Sequence, residues 1–126
     1  MRLVIGGYAQ GKLDYVKKKY DMQDSVILND KMEMTHVSCK TLIVNHFHSW
    51  VRNSLEQGGC PEEEIEEFLE QNPGCILISD EVGNGIVPME PFEREYRERL
   101  GRILIGLAKR AESVERVICG IGQRIK

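Results

Sequence analysis

Five short runs of mostly branched apolar residues punctuate this chain: Arg2-Leu-Val-Ile5, Ser25-Val-Ile-Leu28, Thr41-Leu-Ile-Val44, Cys75-Ile-Leu-Ile-Ser79 and Glu115-Arg-Val-Ile-Cys119. Their apolar residues are consecutive rather than alternating. Such a strand is covered on both faces, which points to a parallel sheet rather than an antiparallel one with a wet side. The stretches between the runs carry helical spacing. Leu13, Val16 and Tyr20 mark one helix from Lys12 to Tyr20, and Phe47, Trp50, Val51 and Leu55 mark a second that stops at Gly58-Gly59. Pro61 suits a helix's first turn, and the acidic run Glu62-Glu63-Glu64 suits its positive end. That third helix has the stripe Ile65, Phe68, Leu69 and ends at Asn72-Pro73-Gly74. A long helix from about Pro91 to Ala111 buries Tyr96, Leu100, Ile103, Leu104, Leu107 and Ala111. Strands alternating with helices predict an α/β domain over 1–126, with a five-stranded, mostly parallel sheet covered by helices on both sides. Residues 29–40 show no period and read as a loop or broken helix. Gly120-Ile-Gly122 reads as the start of a short tail.

Charge and cysteine usage narrow the function classes. Seventeen basic against twenty acidic side chains give a net charge of −3, so there is no electrostatic case for a nucleic-acid partner. No apolar run approaches the ~20 residues that span a bilayer, and Leu3-Val4-Ile5 is too short for a signal peptide. The expectation is a cytoplasmic protein with no membrane partner. Cys39, Cys60, Cys75 and Cys119 are widely spread, without a C-x-x-C pair or metal-ligand spacing; they read as reduced thiols, with Cys75 and Cys119 buried on strands.

In an open parallel sheet, ligands gather at the carboxyl ends of the strands. Two glycine-rich segments follow strands there: Gly6-Gly7-Tyr8-Ala9-Gln10-Gly11-Lys12, and Gly83 to Gly85. The first satisfies G-x-x-x-x-G-K. Glycines let backbone N–H groups curl round a phosphate, the following helix N-terminus adds its dipole, and Lys12 reaches the outer phosphates. The hydroxyl that holds Mg²⁺ in such loops is absent, since the next residue is Leu13. The competing reading is a glycine-rich turn with a surface lysine. Asp80 and Glu81 end the fourth strand and together suit a metal or a substrate hydroxyl proton; the competing reading is a polar strand end. Asn45-His46-Phe47-His48 follows the third strand, so His46 or His48 can line the same cleft. No third ligand nearby supports a metal there. Arg94, Arg97 and Arg102 read as a wet helix face paired with Glu93, Glu95 and Glu98.

The run Glu81-Val-Gly-Asn-Gly-Ile-Val-Pro88, then Arg94-Glu-Tyr-Arg-Glu-Arg-Leu-Gly-Arg102, and finally Gly120-Ile-Gly-Gln-Arg-Ile-Lys126 resemble the bifunctional adenosylcobinamide kinase / adenosylcobinamide-phosphate guanylyltransferase family. The resemblance covers residues 1–13 and 75–126. It implies a P-loop NTPase fold related to recombination ATPases, often assembled as a trimeric homo-oligomer. It implies a nucleotide-dependent transferase of cobalamin biosynthesis that takes ATP or GTP with Mg²⁺ and an adenosylcobinamide-type corrinoid. Carried over by position, Gly6, Gly7, Tyr8, Ala9, Gln10, Gly11, Lys12 and Leu13 form the nucleotide loop. Lys12, Glu81 and His46 are the catalytic candidates, with Asp80 and Glu81 toward metal. The chain departs from the pattern between its second and third strands, where the family's histidine nucleophile belongs and only His36 remains. It departs again at Asn45, an acidic position in the family, and at Leu13. These departures set a second expectation beside the first: a non-catalytic nucleotide- or corrinoid-binding protein with a regulatory or accessory role.

Overall fold

The computed structural model describes residues 1–20, 23–29, 41–82 and 88–126. Six strands form one sheet: β1 (Arg2–Gly6), β2 (Ser25–Asn29), β3 (Thr41–Asn45), β4 (Ile76–Asp80), β5 (Ser113–Ile118) and β6 (Ile121–Arg124). Their order is β2-β3-β4-β1-β5-β6. Every neighbouring pair is parallel except β5 and β6. The α/β class and the mostly parallel sheet are as the alternation of runs implies; the sheet has six strands rather than five. The sixth escapes a hydrophobic reading because Ile-Gly-Gln-Arg carries one apolar side chain, and that one is exposed. It forms as the return arm of a two-residue turn, Cys119-Gly120, with φ 50° and 75°. Positive φ at both central residues is the twist that a tight hairpin requires.

Four helices connect the strands: α1 (Lys12–Lys19), α2 (Phe47–Glu56), α3 (Pro61–Gln71) and α4 (Pro91–Arg110). Period-2 geometry sends alternate residues of each strand to opposite faces. Leu3, Leu42, Val44, Leu77 and Val114 meet Phe47, Trp50, Phe68, Leu100 and Leu107 of α2, α3 and α4. Val4, Ile43, Ile76, Ile78 and Val117 meet Val16, Leu13 and Tyr15 of α1 on the other face. Both faces are apolar and both are packed, which is why the runs need no alternation. Ion pairs brace the helical layer, among them Arg52 of α2 with Glu93 of α4 and Arg99 of α4 with Glu62 of α3. Each arginine's hydrogen bond holds its glutamate's carboxyl below the usual carboxylate range.

Cys75 is buried immediately before β4, and the loss of water pushes its thiol up to about 11. Cys119 was also expected on a buried strand. It lies exposed in the turn, because β5 ends one residue earlier and the chain reverses there. Cys60, Cys75 and Cys119 are free thiols; Cys39 and His36 lie outside the described residues. Among the described residues, no helix is long and apolar enough to cross a membrane.

Candidate functional site

The strand order decides where the site is. β3, β4 and β1 are consecutive in the sheet and parallel, so their carboxyl ends stand side by side although the chain separates them widely. The residues beyond those ends are Asn45-His46, Asp80-Glu81 and the glycine-rich loop. A cleft of about 630 Å³ opens there, lined by residues 8–14 and by Asn45, His46, His48, Ser49 and Asp80. Ligand sites of open α/β sheets occupy this edge.

The loop leaves β1 at Gly6, which pairs in register with Asp80 and accepts the Glu81 N–H at 2.8 Å. It turns through Ala9 at φ 54° and enters α1 at Gly11, φ 81°. Gly11 stands at the N-cap without a side-chain cap, leaving the first N–H groups of α1 aimed at the cleft end of the helix. Gly6 and Gly7 form the base of the loop rather than the cleft wall, whereas Tyr8, Ala9, Gln10, Gly11, Lys12 and Leu13 line it. Tyr8 is 86% exposed.

Lys12 is the centre of the arrangement. Only 7% of it is exposed. Its Nζ lies 2.6 Å from Asp80 Oδ1 and donates to the Gly7 carbonyl at 2.6 Å. A surface lysine, the competing reading of the motif, would be wet and mobile; this one is folded back inside its own loop. Asp80 is also tied to α2. Its N–H donates to His48 Nδ1 at 3.0 Å, so the neutral ring carries its proton on Nε2, 3.4 Å from Asp80 Oδ2. Tyr96 of α4 donates to the His48 carbonyl at 3.1 Å, and burial pushes that phenol up to about 12. The histidine that contacts the strand-end carboxylate is thus His48. His46 sits exposed at the start of α2 with φ 55°, on the cleft wall, its ring edge-on to His48 at 5.6 Å. Asn45 is buried and donates to Asn29 Oδ1 at 2.9 Å, which joins the ends of β2 and β3.

The expected carboxylate pair does not converge. Asp80 faces Lys12, while Glu81 is not among the residues lining the cleft and pairs with Arg116 of β5 at 3.0 Å. Leu13, at the position of the metal-binding hydroxyl, packs against the Val4, Val16 and Ile43 core. Among the described residues no group of three or more His, Cys, Asp or Glu is placed to hold a metal ion. The side chains present do not fit a loop-held magnesium. The second glycine-rich segment, residues 83–87, lies outside the described residues. No local sequence pattern marks the Lys12–Asp80 pair or the tie from His48. Both depend on β1, β3 and β4 being neighbours, which follows from the crossovers and not from any local pattern.

A parallel sheet with a G-x-x-x-x-G-K loop between its first strand and first helix, and a lysine reaching the end of a neighbouring strand, is a P-loop NTPase fold. Comparison with known proteins narrows the class. The family model described as cobinamide kinase / cobinamide phosphate guanyltransferase matches residues 9–125, and the chain belongs to that family. The bifunctional adenosylcobalamin biosynthesis protein CobU of Escherichia coli is 35% identical over 81 residues, 61% of this chain and 44% of the relative. The CobU protein of Salmonella typhimurium is 43% identical over 51 residues, 40% of this chain and 28% of the relative. The bifunctional CobP protein of Pseudomonas aeruginosa is 29% identical over 93 residues, 69% and 54% of the two chains. The chain therefore spans about half or less of the length of these relatives.

Proposed function

We propose that this chain is a nucleotide-dependent transferase of cobalamin biosynthesis, closest to the cobinamide kinase half-reaction of its family. On this reading the loop from Gly6 to Leu13 receives the phosphate chain of ATP or GTP, and the corrinoid's hydroxyl group is the acceptor. The observation that carries the reading is Lys12, buried in a glycine-rich loop and bonded at once to Gly7 and Asp80. A lysine so placed neutralises the charge on a transferred phosphoryl group, and backbone N–H groups from Gly7 to Lys12 supply the remaining positive field. Asp80 orients the lysine rather than acting as a free base, because both of its oxygens are engaged by Lys12 and His48. His46, exposed on the cleft wall, contacts nucleotide or substrate in this scheme. Glu81 belongs to this scheme through its N–H bond to Gly6 and its pairing with Arg116, which hold the strand end. The working form is a cytoplasmic homo-oligomer, a trimer.

The test is direct. The purified chain is incubated with adenosylcobinamide and either ATP or GTP, with magnesium present or chelated, and the corrinoid is examined by liquid chromatography and mass spectrometry. A phosphorylated corrinoid that disappears in Lys12→Ala supports the kinase reading. A second reading is favoured by Leu13, whose side chain turns to the core, and by the separation of Asp80 from Glu81: a non-catalytic nucleotide- or corrinoid-binding accessory protein. Nucleotide binding with no phosphorylated product would select it.

A further inference from the structure

The phosphate loop does not stand alone; it is bonded to the turn at the far end of the chain. The Gln10 carbonyl accepts the Gly120 N–H at 2.8 Å, and the Gln10 side-chain oxygen accepts the Cys119 N–H at 2.7 Å. Both free N–H groups of the Cys119-Gly120 turn thus end on one residue of the loop. Gly11 and Gly120 pack at the same point, where a Cβ on Gly11 would lie 3.4 Å from the Gly120 Cα. A Cβ on Gly6 would come within 2.6 Å of the Val117 carbonyl, so β5 also presses on the loop's entry. The contact continues along α1. The Tyr15 ring lies against Gly122 of β6, its hydroxyl donates to Glu115 of β5 at 2.9 Å, and Lys19 pairs with the same carboxylate. The loop and its helix are therefore tied to the β5–β6 hairpin at Gln10, Gly11, Tyr15 and Lys19.

We propose that the β5–β6 hairpin is the strut that sets the shape of the phosphate loop, and that Gln10 is the positioning residue coupling the two. Lys12 ties the loop to β4 through Asp80; on the β5 side, residue 10 is the point where both a main-chain and a side-chain bond fix the backbone. It follows immediately on Ala9, which sits at φ 54°, a conformation an alanine holds only when its neighbours impose it. The N–H groups that would meet a phosphate, from Gly7 to Lys12, flank this anchor on both sides. Releasing Gln10 lets the loop relax out of that geometry. The inference rests on the reading of the loop as a phosphate site.

Two substitutions separate the strut from other roles. Gln10→Met keeps length and volume but removes the acceptor for Cys119. Gly120→Val acts from outside the cleft, by denying the turn its positive φ, and Gly120→Asn retains it. Binding of ATP and of inorganic tripolyphosphate is measured by calorimetry at 20 °C, alongside melting without ligand. The expected result is a rise of about three- to tenfold in both dissociation constants for Gln10→Met and Gly120→Val, the range a single lost hydrogen bond spans. Gly120→Asn should bind like wild type, and Gln10→Met should melt within about 3 °C of it. Unchanged affinity in Gln10→Met, with or without a fall in melting temperature, overturns the proposal. So does weakened binding in Gln10→Met with normal binding in a folded Gly120→Val, since that outcome makes Gln10 a direct ligand contact. If wild type binds neither ATP nor tripolyphosphate, the reading of the loop itself fails and the strut with it.

Discussion

Replacing Lys12 with methionine tests the arrangement at its centre. Methionine retains most of the buried stem and deletes the ammonium, so the change isolates the charge. Two bonds are lost, to Asp80 Oδ1 and to the Gly7 carbonyl, each 2.6 Å long. Breaking a fully buried ion pair costs about 3–5 kcal/mol, because the remaining charge is left unpaired. Here the Asp80 side chain is 17% exposed and retains His48, so water and the imidazole recover part of that, and the expected loss is about 2 kcal/mol. For 126 residues the unfolding entropy is about 0.26 kcal/mol/K, which places the melting temperature about 8 °C below wild type.

The same variant reports on ligand binding. A nucleotide at ~100 times its dissociation constant stabilises the folded chain by about 2.7 kcal/mol, a rise of about 10 °C by the same conversion. Differential scanning calorimetry with ATP, with GTP and without either should show that rise in wild type and no rise in Lys12→Met. A variant that melts lower but keeps the full ligand-induced rise would refute the assignment of the phosphates to Lys12. A variant that melts with wild type in the absence of ligand would refute the energetic argument for the Lys12–Asp80 pair.

Other regions make their own predictions. Alanine at Gly122 places a Cβ onto the hydroxyl end of the Tyr15 ring; overpacking of this kind costs about 1–3 kcal/mol, and urea unfolding should show the lower midpoint in Gly122→Ala but not in the less crowded Gly74→Ala, where a Cβ meets open space. Glu62 and Glu93 titrate below the usual carboxylate range because Arg99 and Arg52 stabilise their ionised forms. Carboxyls depressed in the folded state contribute stability above their unfolded pKa and lose it as pH falls through the folded one. Acid unfolding followed by circular dichroism should therefore begin below pH ~4.3, and Arg99→Leu should narrow the stability gap between pH 7 and acid. Iodoacetamide at pH 8 should alkylate Cys60 and Cys119 and spare Cys75, whose burial raises its thiol to about 11; peptide mapping by mass spectrometry reads the result.

The parts of the fold legible in the sequence are those set by local periodicity. The runs at Leu3-Val4, Ile43-Val44 and Ile76-Leu77-Ile78 are buried on both faces of a parallel sheet because each has apolar neighbours above and below. The stripe of α4 and the Pro61 start of α3 follow from the 3.6-residue repeat and from the fixed φ of proline. β6 was not legible, since its partner is supplied by a turn and not by a hydrophobic pattern. The exposed place of Cys119 is hidden for the same reason. An exposed cysteine at φ 50° is a turn residue in function, but no turn signature marks it apart from the glycine beside it.

The site divides along the same line. The loop could be read because its chemistry is written in seven consecutive residues. What holds it could not, because the supports come from positions 48, 80, 119 and 120, and none of these is a neighbour of the loop until the crossovers have put β1 between β4 and β5. That central place matters for what the loop can do. On one side β4 delivers Asp80 to fix the lysine's charge; on the other β5 and its hairpin deliver two N–H groups that fix the backbone at Gln10. A glycine-rich loop is the most mobile kind of backbone, and anion binding requires its N–H groups to converge before the anion arrives. Leu13 offers no oxygen to a metal, but both of these supports stand apart from it, so the loop shape on which the proposed phosphate reading rests does not depend on a hydroxyl at that position.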